Sequence, residues 1–167
     1  MRRVMIIGPS GAGKSTFARR LSEKTQLPVV HVDQILWTEG WVNRPDDDVR
    51  RLVEDAAGHP TWIFEGNHAA SLDLRLSRAD TLIFLDFPTR VCLFRILKRV
   101  ICGYGRVRAD MAPGCPERFD WEFLKWVYSF NRTERPGLIE LIKQAPQAVV
   151  VHRLHDRKAA ESFLETA

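Results

Sequence analysis

Short apolar runs alternate with longer stretches of helical period along almost the whole chain. Five runs, at 4–7, 28–33, 61–64, 80–86 and 148–151, are rich in Val, Ile, Leu and Phe and too short for helices, so each predicts a buried strand. Between them the apolar positions recur every three to four residues. Phe17 and Leu21 predict a helix over 14–23 that ends before Pro28. A helix over 89–101 places Leu93, Ile96, Leu97, Val100 and Ile101 on one face and Arg95, Lys98 and Arg99 on the other. A long aromatic helix puts Trp121, Leu124, Val127 and Tyr128 on a core face and breaks at Pro136-Gly137, before a segment over 138–143. Ala159, Ala160, Phe163 and Leu164 mark the last helix. Strands that alternate with helices predict a parallel sheet covered on both faces.

Two segments break this alternation. Residues 34–58 read as an insertion: Trp37 and Trp41 flank Gly40, Asn43-Arg44-Pro45 is turn-like, and a helix from Asp46 carries Val49, Leu52 and Val53. Asp46-Asp47-Asp48 suits that helix's N-terminus and its dipole better than a metal ion. Residues 102–117 contain Gly103-Tyr104-Gly105 and Pro113-Gly114-Cys115-Pro116, which predicts an irregular, mobile loop. It is also basic. Residues 87–109 hold no acid, but they carry Arg90, Arg95, Lys98, Arg99, Arg106 and Arg108.

The chemistry enters between the first strand and the first helix. Gly8-Pro9-Ser10-Gly11-Ala12-Gly13-Lys14-Ser15 fits G-x-x-x-x-G-K-[ST], the phosphate-binding P-loop, followed by Thr16 on the helix. Small residues let successive N–H groups turn toward a phosphate chain, and the helix points its positive end at the same anion. Lys14 would reach the β- and γ-phosphates of ATP, and the Ser15 hydroxyl would ligate Mg²⁺. Asp33 stands at the carboxyl end of the second predicted strand, where open α/β sheets bind ligands. Glu65 and Asp86 close the third and fourth, so either can serve the cation.

Composition narrows the picture further. With 167 residues, 45% hydrophobic and 28% charged, the chain predicts one domain, 1–167, with a real core. Cys92, Cys102 and Cys115 are an odd set without zinc spacing, which suits free thiols. Nothing resembles a leader or a membrane span, so the expectation is a cytoplasmic protein, a monomer or weak dimer with no membrane association. The net charge of +4 suits anionic ligands and is small enough to be used within a phosphate site. No helix-turn-helix or zinc finger points to nucleic acid.

The P-loop, the aromatic insertion, the acid-Gly ending of the third strand, Arg95 and Arg99 four apart, and the arginine-bearing loop before a long helix together resemble the small P-loop kinases, such as adenylate, shikimate and gluconate kinases. More closely, His31-Val32-Asp33, Trp37-x-x-Gly40-Trp41, Glu65-Gly66-Asn67, Arg75 and Gly114-Cys115-Pro116-Glu117 with Phe123-Leu124-x-Trp126 resemble the bacterial family labelled "DNA topology modulation protein", a name that describes a cellular effect rather than a reaction. The resemblance implies a P-loop NTPase three-layer sandwich with sheet order 2-3-1-4-5. Residues 34–58 would then form an acceptor-binding flap and 102–117 a lid over ATP. It implies Arg95 near adenine, Arg99 on the phosphates, Arg106 and Arg108 closing from the lid, and Glu65 rather than Asp86 near Mg²⁺ through water. Asp33 would orient or deprotonate an acceptor hydroxyl, the alternative being a turn cap. Arg132 and Arg135 offer further phosphate contacts. Two functions follow: transfer of the ATP γ-phosphoryl group to a small unidentified acceptor, a nucleotide or hydroxylated metabolite, or a nucleotide-binding regulator that affects DNA topology.

Overall fold

The computed structural model describes residues 1–167. In chain order the elements are β1 (Arg3–Ile7), α1 (Lys14–Thr25), β2 (Val29–His31), α2 (Val32–Leu36), β3 (Trp37–Thr38), β4 (Val42–Asn43), α3 (Asp46–Gly58), β5 (Trp62–Glu65), α4 (Leu72–Arg78), β6 (Thr81–Leu85), α5 (Thr89–Gly103), α6 (Trp121–Thr133), α7 (Arg135–Lys143), β7 (Val150–Leu154) and α8 (Arg157–Thr166). β3 and β4 form a small antiparallel hairpin, and the other five strands make one parallel sheet ordered β2-β5-β1-β6-β7. Counted along the sheet strands alone, that order is 2-3-1-4-5, as expected. No helix is long and apolar enough to cross a membrane.

The strand period of two divides the core. Val4, Ile6, Ile63, Ile83 and Leu85 face α1, α5 and α8, whereas Met5, Ile7, Phe64, Leu82 and Phe84 face α3, α4 and α7. β1 is therefore buried on both sides from Val4 to Ile7, and the loop at its carboxyl end starts from a fully buried stretch of the sheet.

Several expectations shift locally. β2 ends at His31, so Asp33 lies in the first turn of α2 rather than at a strand end. β7 runs over Val150–Leu154, later than 148–151, because Leu85 pairs with Leu154 and draws His152 and Arg153 into the edge strand. In α5 the buried positions are Cys92, Ile96 and Val100, while Leu97 is 41% and Ile101 79% exposed. The apolar face is wider than the helix surface that the sheet covers. α6 buries Leu124, Val127 and Phe130 and leaves Trp121 and Tyr128 outside. The break falls at Glu134, and Pro136 sits in the first turn of α7, where its missing N–H is harmless.

The flap consists of α2, the β3–β4 hairpin and α3. α5 continues to Gly103, so the lid begins at Tyr104. Residues 104–117 carry only isolated bridges, as their composition predicts, but they are packed and not free. Met111, Ala112 and Cys115 are buried against Trp37 and Trp41. Gly40 N donates to Gly114 O at 3.0 Å, Trp41 Nε1 to Pro116 O at 3.1 Å and Cys115 Sγ to Thr38 O at 3.2 Å. Flap and lid are one assembly.

Candidate functional site

The P-loop is shaped by two close approaches. A Cβ at Gly8, where φ is 145°, would lie 2.5 Å from the Leu85 carbonyl oxygen, and one at Gly11, where φ is 83°, would strike the Cys92 carbonyl. Asn67 holds the loop's start from the side: its Oδ1 accepts from Gly8 N at 3.1 Å and its Nδ2 donates to Gly8 O at 2.8 Å. Asn67 is in turn placed by Gly66, whose carbonyl accepts from the fully buried Arg75 at 2.9 Å. α1 then begins at Lys14 with no side-chain cap, which leaves its first N–H groups to an anion.

A cleft of about 730 Å³ opens above this loop, within the range of small-molecule sites. Its floor includes Ser10, Gly11, Gly13, Lys14, Ser15 and Thr16. Asp33, Glu65 and Asn67 line one wall, Arg95 and Arg99 of α5 another, and Trp37, Trp41, Arg108, Asp110 and Glu117 of the flap and lid form the roof. Phe119, Phe123 and Trp126 close the far end. Phe123 and Trp126 stack on each other at 5.9 Å and border the cleft.

Charge at the centre is balanced at close quarters. Lys14 Nζ donates to Gly8 O and Pro9 O at 3.0 and 3.1 Å. Burial pulls its pKa down, and the carboxylates of Glu65 and Asp33 partly restore it. Burial, followed by the neighbouring Glu65, pushes Asp33 above the ordinary carboxylate value, against the pull of Lys14 and Arg108. Glu65 is 4% exposed and takes a 2.6 Å contact from His31 Nδ1, the residue opposite it in the β2–β5 register. Asp110 is also desolvated, but Arg108 and the nearby Ser15 hydroxyl outweigh that and keep its carboxyl below the usual range.

The two carboxylates proposed for the cation are sorted by their partners. Asp86 accepts from Arg135 Nε and Nη2, both at 2.9 Å, and from Arg153 Nε at 2.9 Å, and it does not line the cleft. Glu65 does. The hard oxygens of Ser15, Asp33, Glu65 and Asp110 suit Mg²⁺, and no three His, Cys, Asp or Glu residues cluster tightly enough to hold a metal unaided.

The arginines divide as well. Arg95 Nη1 donates to Ala12 O at 2.9 Å and its guanidinium lies 5.0 Å from the Phe87 ring centroid. Arg99 Nε lies 3.0 Å from Glu117 Oε1. Arg106 is exposed and outside the cleft, because the turn at Gly105 directs its carbonyl to Glu117 N and its side chain outward. Arg108 occupies the inward position. Arg132 is exposed and Arg135 is committed to Asp86, so neither reaches the P-loop. Asp110 and Arg118 were not singled out by sequence reasoning, and Glu117 entered only within a resemblance. Glu117 is, however, the first acid after the buried Cys115 in a basic segment, a signal of local charge compensation.

Residues 4–108 match the family described as "AAA domain". The chain belongs to that family. The matched span of this AAA-domain chain carries the P-loop, Asp33, Glu65, Arg95, Arg99 and Arg108, whereas Asp110, Glu117 and α6 lie beyond it. Among solved structures, it is similar to a shikimate kinase from Acinetobacter baumannii in complex with shikimate (TM-score 0.63, 14% identity, covering 99% of this chain and 90% of that one). It is similar also to a sugar kinase from Janibacter sp. HTCC2649 (TM-score 0.55, 17% identity, covering 99% and 91%). At those identities the likeness is one of fold. Curated relatives include the ATP-dependent protease ATPase subunit HslU of Helicobacter pylori, 32% identical over 79 residues, which are 47% of this chain and 17% of that protein. HslU of Caulobacter vibrioides is 44% identical over 57 residues, 33% of this chain and 13% of that protein. The AAA-domain chain thus corresponds to less than a fifth of the length of these relatives.

Proposed function

We propose that this chain is an ATP-dependent phosphotransferase that moves the γ-phosphoryl group to a small acceptor, a nucleotide or a hydroxylated metabolite. The observation that carries the reading is the single cleft in which Lys14 and Ser15 face Asp33 and Glu65 on one side and Arg99 and Arg108 on the other. Phosphoryl transfer asks a protein chiefly for positioning and for positive charge around the moving group. Lys14 and the P-loop N–H groups would hold the phosphate chain, with Arg99 and Arg108 around its end. Ser15, with Glu65 acting through water, would hold Mg²⁺, which neutralises phosphate charge when bound. Asp33, on the flap side of the P-loop, would orient the acceptor hydroxyl and take its proton. Its raised pKa moves it toward the range of a useful general base. Trp37 and Trp41, 5.5 Å apart and edge to face, would border the acceptor and exclude water. The likeness in fold to a shikimate kinase and a sugar kinase supports the choice of reaction class.

The test is acceptor-stimulated ADP release across nucleoside monophosphates, sugars and hydroxy acids, repeated with Asp33→Asn. One acceptor is expected to raise turnover, and the amide variant to bind ATP nearly as before while transfer falls roughly 10²–10⁴-fold. No stimulation by any acceptor, together with ATP hydrolysis that depends on DNA, would favour the regulator instead.

A further inference from the structure

Glu117 is 5% exposed, yet it is a carboxylate within a basic lid. Its Oε1 meets two guanidiniums from different elements, Arg99 Nε of α5 at 3.0 Å and Arg108 Nε of the lid at 2.6 Å. Neither contact is aligned as a hydrogen bond, so both nitrogens lack a well-directed partner. Both arginines border the cleft, and Arg108 Nη1 continues to Asp110 at 2.6 Å. Stability alone does not explain this arrangement, since a buried ion cluster is commonly no better than apolar packing. The main chain around Glu117 is tied on both sides: Glu117 N donates to Arg106 O at 2.9 Å, Gly105 N to Glu117 O at 2.8 Å, and the preceding Pro116 carbonyl accepts from Trp41 of the flap at 3.1 Å. An acid on an anchored stretch of main chain thus meets two cations from different elements at their Nε atoms.

We propose that Glu117 is a positioning residue that holds Arg99 and Arg108 together by their Nε atoms, so that the Nη groups of Arg99 and Nη2 of Arg108, whose Nη1 is held by Asp110, are ready for the terminal phosphate of a nucleoside triphosphate. Without the carboxylate the two guanidiniums repel each other and separate. The inference rests on the nucleotide reading of the cleft given above. It assigns the discrimination of triphosphate from diphosphate to a residue that touches neither. It also links the flap, through Trp41 and Pro116, to the arginines.

Calorimetric titration with Mg-ADP and with the non-hydrolysable β,γ-imido analogue of ATP tests this without knowledge of the acceptor. The wild-type chain is expected to prefer the triphosphate. Glu117→Gln should leave ADP affinity within about threefold and reduce that preference about tenfold, roughly 1.4 kcal/mol. In an Arg99→Ala, Arg108→Ala background Glu117→Gln should change the preference no further, because the residue acts through those arginines. Glu117→Asp covers the case in which the amide does not fold: it keeps the charge but shortens the reach, and it should lose part of the preference at constant ADP affinity. An equal loss for both nucleotides, or an unchanged ratio, overturns the proposal in favour of a structural acid. A rising ratio overturns it too, since Glu117 would then compete for the phosphate's place. If the wild-type chain bound neither nucleotide, the nucleotide reading itself would fall, a result distinct from binding without dependence on Glu117.

Discussion

Lys14 is held by two carbonyls of its own loop, Gly8 O and Pro9 O, and by the field of Glu65 and Asp33. Its contacts to the protein are modest ones, so its charge serves a ligand more than the core. Lys14→Ala should abolish turnover and the rise in melting temperature produced by Mg-ATP, while the ligand-free protein loses only about 1 kcal/mol. Thermal melts with and without Mg-ATP check this, and a variant that kept the full nucleotide-induced shift would remove the P-loop assignment. Burial raises the folded pKa of Asp33 above its ordinary value of 3.8, so the folded state binds the proton more tightly than the unfolded chain. Its contribution to stability therefore falls as pH rises from the unfolded value through the folded one. Asp33 destabilises the ligand-free fold at neutral pH, which is the sort of cost a functional group imposes.

At the scale of elements, the acids at the ends of β5 and β6 differ in the partners they meet. Both strands end in an acid at the carboxyl edge of the sheet. β5 lies between β2 and β1, and its Glu65 opens to the P-loop; β6 lies between β1 and β7, whose Arg153 meets Asp86 together with Arg135 at the start of α7. Burial works to raise the Asp86 pKa, but the two arginines more than offset it, so the folded value lies below 3.8. The stability it supplies is present above the unfolded pKa and is lost as pH falls through the lower folded one. Asp86→Asn should cost about 1–3 kcal/mol at neutral pH and flatten the acid limb of the stability profile, with Mg²⁺-dependent ATP affinity unchanged. Glu65→Gln should do the reverse, weakening the Mg²⁺ dependence. Denaturant melts from pH 3 to 7 beside ATP titrations over a Mg²⁺ series would distinguish them, and loss of Mg²⁺ dependence in the Asp86 variant would reverse the assignment.

Across the whole molecule, flap and lid meet over the cleft through Trp37, Trp41, Met111 and Cys115, an interface much smaller than the two clusters on the sheet. Small apolar contacts and isolated bridges open at low free energy, whereas the sheet opens only with global unfolding. Limited proteolysis should cut first within 104–117, and Mg-ADP together with an acceptor found by the screen should suppress that cleavage strongly. Cleavage at an unchanged rate would count against closure of this segment over the nucleotide.

Patterns local in the chain settled the fold and its phosphate end. The short unbroken apolar runs at 4–7 and 80–86, the helical period of Phe17 and Leu21, and the glycines of the P-loop each depend on residues within a few positions, so they survive without knowledge of the rest. Sheet order came from the family resemblance, and the structure agrees with it. What required the tertiary structure was every choice between equivalent residues. Glu65 and Asp86 have the same local setting and differ in whether arginines from 135 and 153 reach them. Arg106 and Arg108 lie two apart in one loop, and a turn stabilised by the distant Glu117 sends one outward and the other inward. In α5, whether Leu97 and Ile101 are covered depends on how much of the helix the sheet and α6 reach. Burial and charge pairing are sums over neighbours brought together by chain folding, and those neighbours, 49 and 67 residues away in the case of Asp86, are not encoded in local spacing.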